Sequence, residues 1–165
     1  NEHLPILRAY AARCGHVTEF GVRRGVSTVG LLAGLPDTYR GHDVAAAPAH
    51  LATLAAGAGV DYAHRRACVL TVEIEPTDLL MIDTLHTYQQ LTAELALHAD
   101  KAGQYIILHD TKTFATYDEG TRRHGLGLAP AVDDFLFGRM ASNLRREWRV
   151  VEQHSNNNGL TVLGR

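Results

Sequence analysis

Short apolar runs and helical repeats take turns along this chain, and that alternation constrains its fold more than any single motif does. The segments "HVTEF", "TYRGHDV", "DLLMID" and "YIILHD" have strand length and the residue types that suit a pleated, buried surface. Between them lie "STVGLLAGL" and "APAHLATLAAGAG", then a stretch from about Thr87 to Asp100 in which Tyr88, Leu91 and Leu95 fall at helical spacing. Strand and helix in strict succession require crossover connections, which build a parallel sheet covered on both faces. The predicted class is a doubly wound α/β fold in one domain spanning residues 1–165.

The two ends depart from this rhythm. Leu4, Leu7 and Ala11 predict an amphipathic entry helix over residues 3–13, stopped by Gly15. "YAHRRACVLTVEI" is β-rich without a clear break, and Lys101 and Gly103 read as C-terminal signals of the helix before them. After a helix begun by Pro130, "WRVVEQH" and "GLTVLGR" flank "SNNN" and predict an antiparallel hairpin. Residues 111–128 form the longest irregular segment, mixing aromatics, charges and three glycines. A substrate lid and an ordinary surface loop both fit it, with Thr111, Phe114, Asp118 and Glu119 as candidate acceptor contacts.

Charge and composition remove some partners. A net charge of −2, with the pairs Arg23-Arg24, Arg65-Arg66 and Arg145-Arg146 scattered, argues against nucleic acid. No apolar stretch has the length of a membrane helix. Cys14 and Cys68 match no zinc or disulfide spacing and read as buried free thiols of a reducing compartment, so cytoplasmic is the default location. The first residue is Asn1, as expected of a trimmed chain or an internal domain. The entry helix is one candidate surface for a homodimer, and the alternative is that it folds over the cofactor with Glu2 and His3 near the site.

The stretch "VTEFGVRRGVSTVGLL" carries the first functional signal. In a doubly wound sheet ligands bind beyond the carboxyl ends of the strands, where the first strand-to-helix turn lies. Gly21 and Gly25 let the backbone approach a ligand, but three residues separate them, which is not the dinucleotide spacing. Glu19 just before the turn repels phosphate and favours a cationic or hydroxyl-rich ligand. S-adenosylmethionine meets that description, and Asp43 at the end of the second strand is placed to accept its ribose hydroxyls. Asp43 reads equally as a cap near the helix that Pro48 starts.

Asp83 and Asp110 each end an apolar strand. On neighbouring strands, roughly 4.8 Å apart, two such carboxylates would repel unless a cation or a shared proton intervened. Mg²⁺ with an incomplete shell would lower the pKa of an acceptor hydroxyl, and His86 in "DTLH" could take the proton.

The pattern E-F-G-x-x-x-G-x-S-T over residues 19–28, Asp43, "DLLMIDTLHTYQQLTAEL" and "YIILHDT" together resemble the class I S-adenosylmethionine-dependent methyltransferases. They are most similar to the branch of macrolide sugar O-methyltransferases and cephalosporin-hydroxylase-like proteins. The resemblance runs over nearly the whole chain. It implies a Rossmann-like sheet of seven strands with the last antiparallel. It also implies a cofactor site at Glu19, Gly21, Val22, Gly25, Ser27, Thr28, Asp43 and Asp83. Asp83, His109 and Asp110 would be metal ligands and His86, with Asp83, catalytic. The acceptor would be a hydroxylated small molecule. His109 stands where the family has a glutamate, and imidazole favours ions softer than Mg²⁺, such as Mn²⁺. Two other readings compete: an accessory cofactor-binding module of a larger biosynthetic assembly, and a nicotinamide-dependent oxidoreductase with Asp43 on ribose.

Overall fold

The computed structural model describes residues 2–120, 126–138 and 148–165. In chain order the elements are α1 (Leu4–Ala11), β1 (His16–Phe20), α2 (Val26–Leu32), β2 (Thr38–Asp43), α3 (His50–Ala58) and β3 (Asp61–Arg66). They continue with β4 (Thr77–Ile82), α4 (Tyr88–His98), β5 (Ala102–His109), α5 (Leu128–Leu136), β6 (Arg149–His154) and β7 (Leu160–Gly164). The strands form one seven-stranded sheet in the order β3-β2-β1-β4-β5-β7-β6. Pairing is parallel from β3 through β5, and β7 runs antiparallel to both of its neighbours. The Rossmann-like doubly wound sheet with its reversed C-terminal strand is therefore as the sequence predicts.

Strand periodicity explains the two cores. Leu79, Met81 and Ile107 point to the face covered by α1 and α2, where they meet Leu7, Leu31 and Tyr39. Leu80, Ile82, Ile106 and Leu108 point to the opposite face, against Leu91 and Leu95 of α4 and Phe135 of α5. Successive residues of a strand face opposite sides, so a sheet buried on both faces needs a continuous apolar run, which "DLLMI" and "YIIL" supply.

The order reverses between β1 and β4, whose register pairs Phe20 with Ile82, while Phe20 also pairs with His42 and Ile82 with Leu108. The residues that follow these strand ends, Gly21, Asp83 and His109, consequently share one edge. Asp43 ends β2 on the same side.

Several local expectations are corrected. Residues 67–76 contain no strand or helix, which locates the break in "YAHRRACVLTVEI" just after Arg66. Gly103 lies inside β5, because a short 3₁₀ turn at Ala99–Lys101 ends the helix first. Ser27, the residue type that suits a cap before "TVGLL", does not cap α2. Gly25 holds the cap position in the left-handed region at φ 75°, and a Cβ there would strike Leu51. His98, which its place on the helix after the fourth strand reads as a solvated residue, is buried, with its Nε2 within 2.8 Å of the Val69 carbonyl. Cys14 is buried as expected, whereas Cys68 is exposed. No helix among the described residues is long and apolar enough to cross a membrane. Arg145, Arg146 and residues 121–125 of the expected lid lie outside the described residues.

Candidate active site

Two cavities open at the carboxyl edge of the sheet and share Gly21, Arg23 and Asp83 as a common wall. The larger, about 400 Å³, runs from Asp43 past Ala67, Cys68 and Val69 to His86 and Glu119. The smaller, about 290 Å³, is enclosed by His3, Leu4, Val22, Ser27 and His109. Gly21 makes their junction narrow: it sits at φ 86°, and a Cβ would lie 1.9 Å from the Asp83 carbonyl oxygen. Only glycine lets these two strand ends come so close.

Asp43 uses both carboxylate oxygens on its surroundings, accepting from the Arg23 N–H at 2.7 Å and the Ala45 N–H at 2.8 Å. Each oxygen keeps a lone pair for a ligand in the larger cavity. Arg23 takes a left-handed conformation, φ 49°, in which its N–H reaches Asp43 and closes the turn.

Glu19 has a different place from the one its sequence position suggests. Its carboxylate is fully buried and accepts from the hydroxyls of Ser27, Thr28 (2.6 Å) and Tyr39. Burial pushes its pKa up to about 7 against these donors. Glu19, Thr28 and Gly25 line neither cavity and instead brace the turn from behind, while Gly21, Val22, Ser27, Asp43 and Asp83 form its walls.

Asp83, His86, His109 and Asp110 converge. His86 Nε2 lies 3.2 Å from Asp83 Oδ1 and 3.1 Å from Asp110 Oδ2, and Nδ1 lies 2.9 Å from Glu119 Oε2. Burial opposes charge on this ring, but the bond to Asp83, the charge of Asp110 and the bond to Glu119 outweigh it and raise the pKa above 6.5. The same balance raises His109, where burial is outweighed by Asp110 and Asp83. His109 Nδ1 lies 2.9 Å from Asp110 Oδ1 and 3.8 Å from Asp83 Oδ2. Neither Nδ1 nor Asp110 Oδ1 has a hydrogen bond of acceptable geometry, although both atoms are buried. Donor atoms of Asp83, His109 and Asp110 lie within 4.8 Å of one another. Two carboxylates and an imidazole nitrogen, with buried atoms left unsatisfied, fit a divalent cation.

The segment after β5 folds over this cluster. Phe114 stacks on the His86 ring at 4.7 Å with 4° between planes, and the Glu119 N–H donates to the His86 carbonyl at 2.9 Å. Asp118 is buried and turned inward, accepting from the Tyr88 N–H at 2.9 Å, so it is a latch and not an acceptor contact. Thr111 is tied to Thr161 on β7 at 3.0 Å.

His3 lies at the site, as expected of an entry helix folded over it, but its contact with His109, 106 residues away, is one that spacing cannot report. Glu94 is fully buried below the site, accepting from Thr84 Oγ1 at 2.6 Å and Gln90 at 2.7 Å. The sequence signal for it was its place on the inward face of α4, one turn before His98, where an acid is unusual.

No protein-family profile matches the chain, and no curated protein matches it. Solved structures do. The O-methyltransferase from Bacillus cereus in complex with S-adenosylhomocysteine superposes with TM-score 0.64 at 16% identity over 99% of this chain and 80% of that one. The magnesium protoporphyrin IX methyltransferase from Synechocystis with bound S-adenosylmethionine gives 0.65 at 12% identity, over 99% and 78%. The N-methyltransferase NodS from Bradyrhizobium japonicum gives 0.60 at 13%, over 99% and 94%. The fold is the Rossmann-like fold of methyltransferases. At these identities the likeness establishes the methyltransferase fold alone, and O- and N-methyltransferases both share it.

Proposed function

We propose that the protein is an S-adenosylmethionine-dependent O-methyltransferase acting on a hydroxyl of a sugar or another small natural product, assisted by a divalent cation. The observation that carries this reading is the meeting, at the Asp83 wall, of a bipartite cavity sized for a nucleoside-amino-acid cofactor with a histidine-carboxylate cluster. Cofactor binding alone would not call for that cluster, which weighs against an accessory module.

The larger cavity takes the adenosine end, with Asp43 accepting ribose hydroxyls. The smaller takes the amino-acid end beside Ser27. The cofactor supplies an electrophilic methyl on sulfur, and the products are the methyl ether, S-adenosylhomocysteine and one proton. Asp83, His109 and Asp110 would hold Mg²⁺ or, with a nitrogen donor in the set, Mn²⁺, which lowers the pKa of a bound oxygen. Glu119 accepts from His86 Nδ1 and so orients the ring with Nε2 beside Asp83 and Asp110, where it would take the proton of an acceptor held there. Phe114, stacked on the ring face, helps to hold the ring in that orientation. The acceptor enters along the segment after β5.

The test is transfer of a labelled methyl group to a panel of sugars and hydroxylated natural products, with Mg²⁺, Mn²⁺ or chelator. The reading expects transfer to oxygen that chelator suppresses, reduced ~10² to 10⁴-fold in His86→Ala. Transfer only to nitrogen, or an unchanged rate in His86→Ala and Asp83→Ala alike, would refute it.

A further inference from the structure

The residues just before α1 reach the cluster of Asp83, His109 and Asp110. His3 is 1% exposed, and its Nδ1 lies 3.2 Å from His109 Nε2 while its Nε2 lies 3.4 Å from Asn156 Oδ1. Asn156 is oriented by Glu2, because its Nδ2 donates to the Glu2 carboxylate. The amide oxygen therefore faces His3, and an amide oxygen only accepts. It follows that His3 carries its proton on Nε2 and offers a lone pair at Nδ1. The buried ring, in its neutral form, therefore meets His109 as an acceptor. His109 must then donate from Nε2, which leaves the lone pair of Nδ1 among Asp83 and Asp110.

We propose that His3 is a positioning residue that fixes the tautomer of His109, through the chain Glu2–Asn156–His3–His109, so that His109 Nδ1 is available as a metal donor. This rests on the metal reading of the cluster. A ligating histidine commonly donates its other ring N–H to an outer partner, and removal of that partner weakens metal binding ~10 to 100-fold. Here the partner is itself a histidine, carried by the entry helix and oriented by the β6-β7 turn. Docking of α1 on the sheet thus completes the cluster, and three segments distant in sequence share one proton arrangement.

The experiment is calorimetric titration of Mn²⁺ into the full chain and into His3→Leu, His3→Asn and Asn156→Leu, with melting curves to establish that each is folded. The electron spin echo of bound Mn²⁺ reports nitrogen ligation directly. His3→Leu should weaken Mn²⁺ by ~10 to 100-fold and diminish the nitrogen signal. His3→Asn places an amide oxygen near the former Nδ1 and should recover most of that loss. Asn156→Leu, at an exposed turn, should weaken binding by a smaller factor and carries the test should His3→Leu fail to fold. Equal affinity in all folded variants would overturn the role of His3 and leave the metal reading intact. A wild-type protein that binds no Mn²⁺ would overturn both.

Discussion

At the scale of single residues, two buried acids do opposite things from what an acid near a ligand site first suggests. Glu19 and Glu94 both lie at 0% exposure, and burial raises each pKa to about 7. A carboxyl whose folded pKa exceeds its ordinary 4.5 contributes stability in full below 4.5, and that contribution is lost as pH rises through 7. One pKa unit corresponds to ~1.4 kcal/mol, so the swing per residue is on the order of a few kcal/mol. Glu94→Gln keeps the polar contacts with Thr84 and Gln90 without the ionisation. Its melting temperature relative to wild type should rise steadily between pH 5 and 8, and a pH-independent difference would contradict the assignment. The identities of Asp43, Asp83 and Asp110 as rim residues were legible because each ends or directly follows a strand, and that of His86 because it lies three residues after Asp83. The inward turn of Glu19 was not, since nothing in "VTEF" says that Ser27, Thr28 and Tyr39 would all direct hydroxyls at it.

Among the elements, the segment after β5 packs against the cluster through Phe114 and Glu119. Asp110 stands at φ 59°, turning the chain sharply at the strand end, and Gly159 on the neighbouring turn approaches the Lys112 backbone too closely for any side chain. Beyond that turn, Asp118 and the Leu126 carbonyl both accept from the Tyr88 N–H, tying the segment to the start of α4. Asp118→Ala should cost ~1 kcal/mol of stability and lower the turnover number roughly tenfold, because Phe114 and Glu119 no longer hold His86. Affinity for S-adenosylhomocysteine should change by less than about twofold, which separate titration would establish. An unaltered turnover number would show that the latch has no part in catalysis. Strands with unbroken apolar runs were readable from sequence, as was the hairpin around "SNNN". The boundary at Gly103 was not, because a helix-ending glycine and a strand glycine look alike until the strand register is known. Nor was the burial of His98, whose partner is the backbone of a segment without regular structure.

For the whole molecule, the order β3-β2-β1-β4-β5-β7-β6 converts separate motifs into one site. It sets β1 between β2 and β4, so the glycine turn lies between Asp43 and Asp83, and sets β5 beside β4, so Asp110 and His109 meet Asp83. Alternation of strands and helices predicted this class of sheet, but the contact between α1 and the β6-β7 turn depends on the closed fold and left no local trace. The central claim is that the paired cavities hold S-adenosylmethionine, and the most direct measurement is calorimetric titration of S-adenosylhomocysteine into metal-free wild type and Asp43→Ala. The account predicts one site per chain in wild type and at least about tenfold weaker binding in Asp43→Ala, equal to ~1.4 kcal/mol of lost ribose contact. No binding by the wild type, or equal binding by both proteins, would contradict it.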